Sequence, residues 1–104
     1  MPAYVIANVE VLDEEAGRAY APVAQQSILE YGGRYLVAGP TSGTVEGSWD
    51  LPRLVIIEFP HMDRIREWYD SPGYREARRI REGKMRIRLL FTEGTPPEGF
   101  TLPS

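Results

Sequence analysis

The side chains able to do chemistry in this sequence are carboxylates, arginines and phenols, joined by one histidine. Cysteine is absent and His61 is the only histidine. Thiolate nucleophiles, disulfides, the common structural zinc clusters and multi-histidine metal sites are thereby excluded, and neither a metal nor a cofactor is expected. Glu10 and Glu58 are the first candidates. Both lie in β-prone segments, "AYVIANVEV" and "RLVIIEF", and by strand parity they share a face with Asn8, Arg86, Arg88 and Thr92. A carboxylate held between two layers shifts toward proton acceptance and can serve as a general base. The competing reading is an ion pair, Glu10 with Arg86 or Arg88. His61 is the third acid–base candidate, because imidazole titrates near neutral pH. It follows Pro60 at the start of a helix, where a polar side chain also serves as a cap.

Binding chemistry gathers elsewhere. Arg75, Arg78, Arg79 and Arg81 form a basic run, but Glu76 and Glu82 interrupt it, so most of it reads as a solvated face. Arg78 stands apart, one turn beyond Tyr74 and able to point back along the same face. Arg34 follows the glycine pair of "YGGR" at a strand start, where it could clamp a carboxylate. Ile65, Trp68 and Tyr69 keep core spacing, and Trp68 is assigned to the core. Tyr69 and Tyr74 carry hydroxyls that need partners when buried, and a pocket between helix and sheet suits them as well as the core does. Asn8 and Ser71 complete the ligand-binding candidates.

The elements that must position these residues follow from periodicity. Residues 3–11 alternate, with Val5, Ala7, Val9 and Val11 on one face and Tyr4, Ile6, Asn8 and Glu10 on the other. Asp13 is an N-cap, and Glu14 and Glu15 favour the helix that follows. Pro22 lies inside that helix and predicts a kink or break. "YGG" at 31–33 ends it. Residues 34–39 form a strand, 44–47 an expected brief edge strand, and 53–59 a central strand. Residues 61–82 are helical with a break near Ser71-Pro72-Gly73, where Pro72 suits the first turn of a new helix. Residues 85–94 are the last strand. The order β-α-β-(β)-β-α-β predicts an α+β, ferredoxin-like antiparallel sheet with two helices on one face. The other face carries Tyr4, Ile6, Leu36, Leu54, Ile56 and Leu90, too apolar to stay wet, and a second copy of the chain is its simplest cover. A single domain is expected over residues 1–94, followed by a proline-rich extended tail at 95–104.

The ordered set "YGGRYLVAG", "VEG", "RLVIIEFP", "WYDSPGY" and "TEG" resembles the family catalogued as domain of unknown function 1330. The resemblance covers roughly residues 3–94 and implies a dimeric α+β barrel, a homodimer whose two sheets face each other. Two positions depart from the family pattern: Pro40 stands where a second glycine is usual, and Gly73 where glutamate is usual. The family commonly has serine at the position of His61, which favours the capping reading there. The wider superfamily includes cofactor-free monooxygenases, isomerases and dehalogenase-like proteins, so the fold leaves the chemistry open.

The 104 residues, 42% apolar and 26% charged, suffice for one unstapled core. A net charge of −3 argues against nucleic acid. No apolar run is long enough to span a bilayer, and the N-terminus lacks a signal-peptide pattern, so a cytoplasmic protein is expected. The expected function is binding of a small anionic or phenolic molecule in a cleft beside the sheet. A cofactor-free enzyme would use Glu10 or Glu58 as base and Arg34 or Arg78 to steer the substrate. The alternative is a non-catalytic binding or regulatory module.

Overall fold

The computed structural model describes residues 1–39, 43–49, 53–94 and 98–99. Its elements are β1 (Ala3–Val11), α1 (Glu14–Glu30), β2 (Arg34–Gly39), β3 (Leu54–Phe59), α2 (Met62–Tyr69), α3 (Pro72–Arg81) and β4 (Met85–Glu93). The strands form one sheet in the order β2-β3-β1-β4, with every neighbouring pair antiparallel. This is the ferredoxin-like arrangement, with the second helical region divided into α2 and α3. No described helix is long and apolar enough to cross a membrane.

Each turn has a local cause. Asp13 caps α1 by accepting the Ala16 amide at 3.0 Å. At the other end the amides of Gly33 and Gly32 donate to the carbonyls of Ile28 and Leu29, a Schellman closure with Gly32 at φ +83°. Gly33 is required for a second reason: a Cβ there would lie 2.6 Å from Ile28 and 2.8 Å from Phe59. The break expected at Pro22 does not occur, and α1 runs unbroken through it. Pro22 and Arg18, whose carbonyl loses its amide partner, both lie on the exposed side of the helix, where water replaces the missing bond. The edge strand expected at 44–47 does not form either, and those residues are exposed, with a bend at 45–47 and no ladder partner among the described residues. The turn expected at 40–42 lies outside the described residues, as does the tail at 95–104 apart from Glu98 and Gly99.

The break at residues 70–72 is real and is built around Ser71. Its hydroxyl donates to the Trp68 carbonyl at 2.6 Å and accepts the Tyr74 amide at 3.2 Å, so one side chain ends α2 and starts α3. Pro72 occupies the first helical turn. The corner places Trp68 and Tyr74 ring against ring at 4.2 Å, with Phe59 of β3 5.4 Å from Trp68. The indole of Trp68 donates to Ser27 Oγ on α1, and Ser27 in turn donates to the Ala24 carbonyl. These groups are buried and fully paired.

The helices cover one face of the sheet. On the other face, Val37, Ile56, Ile6 and Leu90 line up across the four strands, flanked by the row Arg34, Glu58, Tyr4 and Thr92. Leu36, expected in the apolar row, is displaced from it: β2 bulges between Tyr35 and Val37, and Val37 takes the position opposite Ile56.

Ser71→Ala removes both bonds of the corner and is expected to lower the unfolding free energy by about 1–2 kcal/mol. Urea denaturation should show a reduced midpoint at unchanged slope; a midpoint equal to that of the wild type would mean that the corner holds without the hydroxyl.

Candidate functional site

α1 presents small residues toward the sheet. Gly17, Ala21 and Ala24 form one stripe of the helix, and they face Val5, Ala7 and Val9 of β1. The helix touches the sheet at its start, where a Cβ on Gly17 would come within 2.9 Å of Val11. Farther along, small side chains oppose small side chains and the gap stays unfilled. The result is a cleft of about 580 Å³ between α1 and the helix-covered face of the sheet. That volume falls within the range of small-molecule sites.

Aliphatic side chains of β1, β3 and β4 form the floor, among them Val55, Ile57 and Leu89. Trp68 and Tyr74 close the inner end. Three phenols are among the polar residues of the wall: Tyr20 from α1, Tyr35 from β2 and Tyr74 from α3. The hydroxyls of Tyr20 and Tyr74 are hydrogen-bonded at 2.9 Å, and their rings meet edge to face at 6.5 Å. Burial pushes the Tyr20 phenol well above its ordinary pKa of 10.0, with Tyr74 reinforcing the shift and Arg81 opposing it. Tyr35 is pushed up to about 12, again by burial, with Tyr74 contributing. At neutral pH Tyr20 and Tyr35 are therefore hydrogen-bond donors, not bases. The Arg81 guanidinium stands over the Tyr20 ring at 6.0 Å. At the rim, Glu14 and Arg18 form an exposed pair at 3.8 Å.

The residues singled out from the sequence are distributed over separate places. Tyr74 lines the cleft; Tyr69 does not. Tyr69 instead packs against Trp68 and Phe91, and Arg78 lies 4.2 Å above its ring while donating to its carbonyl at 3.2 Å. Arg78 does turn back toward Tyr74, at 5.9 Å from that ring, but its task is to staple α3 to the end of α2. Ser71 is the corner cap. Asn8, Glu10, Arg34 and Glu58 are on the open face of the sheet. Glu58 accepts from Arg34 Nε at 2.8 Å and from the Tyr4 hydroxyl at 3.1 Å. That bond to Glu58 raises the Tyr4 pKa above its ordinary value. Glu10 pairs with Arg86 at 3.3 Å, as the ion-pair reading anticipated. Neither carboxylate lines the cleft. His61 occupies the N-cap position of α2, but its side chain makes no capping bond, which corrects the capping expectation. The imidazole is exposed and free to hydrate, so nothing holds it over the helix end.

Tyr20 and Tyr35 were not among the expected site residues. Tyr20 keeps the apolar spacing of α1 and reads as core, and Tyr35 lies in a short strand. The signal that could have found them is their company: phenols on helix- and sheet-facing positions whose neighbours are glycine, alanine and valine, too small to close around them. Among the described residues no group of three or more histidine, cysteine, aspartate or glutamate side chains could hold a metal ion.

The chain belongs to the family described as Domain of unknown function (DUF1330), whose model matches residues 2–95. Among solved structures it is similar to RPA0582, a protein of unknown function from Rhodopseudomonas palustris, with 21% identity and a TM-score of 0.75 over 92% of this chain and 84% of that one. It is also similar to Rv0793 from Mycobacterium tuberculosis, at 18% identity and a TM-score of 0.56 over 95% and 100% of the two chains. A Bacteroides fragilis protein described as dimeric, of unknown function and of ferredoxin-like fold shares 14% identity, with a TM-score of 0.56 over 89% of this chain and 96% of that one. No curated protein sequence matches the chain. At these identities the likeness establishes the fold.

The raised phenol pKa values carry a stability consequence. Folding favours the neutral form of Tyr35, so its contribution is fully present below pH 10.0 and is lost as pH rises through about 12. Tyr20 acts in the same direction. The unfolding free energy is expected to fall over that alkaline window, and to fall less steeply in a Tyr20→Phe, Tyr35→Phe double variant. Denaturant titrations at a series of pH values check this, and equal slopes would show that the phenols are not held neutral by the fold.

Proposed function

We propose that the protein binds a small, largely apolar organic molecule in the cleft between α1 and the sheet, and that it works as a homodimer closed over the open sheet face. The observation that carries the first part is the cleft itself, about 580 Å³ of space walled by aliphatic side chains with convergent phenols. Concave, mostly apolar space with a few placed polar groups is the usual form of a ligand site.

A binding role accounts for the cleft better than acid–base catalysis does. Among the described residues lining it, the only carboxylate is Glu14, which is exposed at the rim and engaged with Arg18. The neutral phenols favour holding an oxygen atom of the ligand over removing its proton. A cofactor-free reaction in this site would draw on the same donors, by stabilising negative charge that develops on such an oxygen.

The dimer reading rests on the row Val37, Ile56, Ile6 and Leu90. Val37 and Leu90 are 40% and 54% exposed, and the row crosses the whole sheet with no helix over it. A two-fold axis through such a row would set it against its own copy, with the Arg34–Glu58 row alongside. The dimeric Bacteroides fragilis neighbour of the same fold supports the reading. A cytoplasmic setting is part of the proposal, and subcellular fractionation of the native protein checks it.

A thermal-shift screen of small carboxylic, phenolic and carbonyl compounds is expected to give hits whose stabilisation disappears in Ala21→Trp, which fills the cleft. Flat melting curves across the library, or hits that survive the filling, would remove the cleft from consideration. For the dimer, an Ile6→Glu, Leu90→Glu double variant should sediment as a monomer of 11.8 kDa where the wild type sediments at twice that mass. A wild type that is already monomeric would end the dimer reading.

A further inference from the structure

The polar wall of the cleft also specifies the ligand's head group, an inference that rests on the cleft being a binding site. Each phenol hydroxyl has one hydrogen to donate and two lone pairs to offer. Between Tyr20 and Tyr74 one hydrogen is used in the contact at 2.9 Å, and the other is left over. Among the described residues no other group bonds to either hydroxyl, and Tyr35 makes no side-chain hydrogen bond at all. Tyr35 lines the same cleft as that pair. The wall therefore offers two uncommitted O–H donors.

A group that answers two donors has two lone pairs and no hydrogen of its own. A carbonyl oxygen has that form. A carboxylate carries more lone pairs and a full charge, and burying it against aliphatic walls is costly unless a cation is bonded to it. Arg81 stands over the Tyr20 ring at 6.0 Å and, like Arg78 at 5.9 Å from the Tyr74 ring, makes no hydrogen bond to any of the three hydroxyls. Its charge still disfavours an ammonium head, as do Arg18 and Arg53 at the mouth, where Glu14 is the only opposing charge. The aliphatic floor of Val5, Ala7, Val55, Ile57 and Leu89 accepts a ring or a short chain.

We propose that Tyr20, Tyr35 and Tyr74 form a carbonyl-binding station, and that the ligand of the cleft is a small ketone or aldehyde with an apolar body. The carbonyl oxygen takes the spare hydrogen of the Tyr20–Tyr74 pair and that of Tyr35, and the body lies along β1 beneath Ala21 and Ala24.

Four fluorinated probes of nearly equal size test this by fluorine NMR on the full chain: 4-fluoroacetophenone, 4-fluoroethylbenzene, 4-fluorobenzylamine and 4-fluorobenzoate. The ketone is expected to bind roughly 10-fold more tightly than the hydrocarbon, the scale of one or two net hydrogen bonds. In a Tyr20→Phe, Tyr35→Phe, Tyr74→Phe triple variant the ketone should fall to the level of the hydrocarbon, while the hydrocarbon itself keeps its wild-type affinity. Retained hydrocarbon binding also reports an intact cleft, so loss of fold cannot mimic the result. Tyr35→Phe alone should remove part of the preference. Equal binding of ketone and hydrocarbon by the wild type, or a preference that survives in the triple variant, overturns the carbonyl station and leaves the cleft standing. Tightest binding of the benzoate or the benzylamine overturns it as well. Failure of all four probes overturns both the station and the cleft as a binding site.

Discussion

The Ser71 hydroxyl accepts the amide hydrogen of Tyr74 while giving its own to the carbonyl of Trp68, and through that one side chain the two halves of the second helical region are set at an angle. A straight helix over residues 62–81 would carry Trp68 and Tyr74 on lines that diverge, six residues being well off a whole number of turns. The corner brings their rings to 4.2 Å instead. It also lets Trp68 reach Ser27 of α1, and the close approach depends on Gly73, where a Cβ would lie 3.1 Å from that of Ser27. Gly73 is thus matched to a tight helix–helix contact in this chain. Tyr74, started correctly, then meets Tyr20 across the same contact.

That packing divides the space under α1 into two parts. Toward the C-terminal end of α1, Ile28, Phe59, Trp68 and Ile65 fill the interior to near-zero exposure. Nearer its start, beyond the contact of Gly17 with Val11, the stripe of α1 that faces β1 is Ala21 and Ala24, against alanine and valine of the strand. A native interior tolerates few voids, because each unfilled volume forfeits dispersion contacts and leaves apolar surface in water. A cleft of this size beside a well-packed core is the observation on which the proposed ligand binding rests. The cost is reduced by its being open to solvent at the Glu14–Arg18 rim.

Much of the fold was legible because its causes are local. Alternation located β1 and β4, and β-prone composition located β3; Asp13, the glycine pair at 32–33 and Ser71-Pro72 marked helix ends by mechanisms that act within four residues. The errors were of another kind. Pro22 is tolerated because tertiary packing of Ala24, Ser27 and Ile28 outweighs one missing bond on an exposed face. Residues 44–47 have strand-like composition but stay exposed and do not pair with the free edge of β2. The β2 bulge moved Leu36 out of register, and parity counting cannot foresee an inserted residue. The site was least legible. Tyr20 and Tyr74 are separated by 54 positions, and their contact exists only because Ser27, Trp68 and Ser71 align α1 with α3. Periodicity registers such phenols as core, which in area terms they are. The carboxylates that looked most like chemistry belong to the opposite face.

Those carboxylates have a physical role that follows from β1 being shared. Alternate residues of β1 face the cleft as Val5 and Ala7 and the open face as Tyr4 and Ile6, so a slip of one residue would exchange floor and exterior. Glu58 meets Arg34 and Tyr4 at one end of the sheet, and Glu10 meets Arg86 at the other, each from the directly opposite position of a neighbouring strand. Exposed pairs of this kind add little to stability. They do discriminate between registers, because any slip that moved Glu58 onto the helix side would bury an unpaired charge. The polar ends of the open face thereby hold in place the apolar strand residues that floor the cleft, and the two faces of the sheet are coupled through the register of β1.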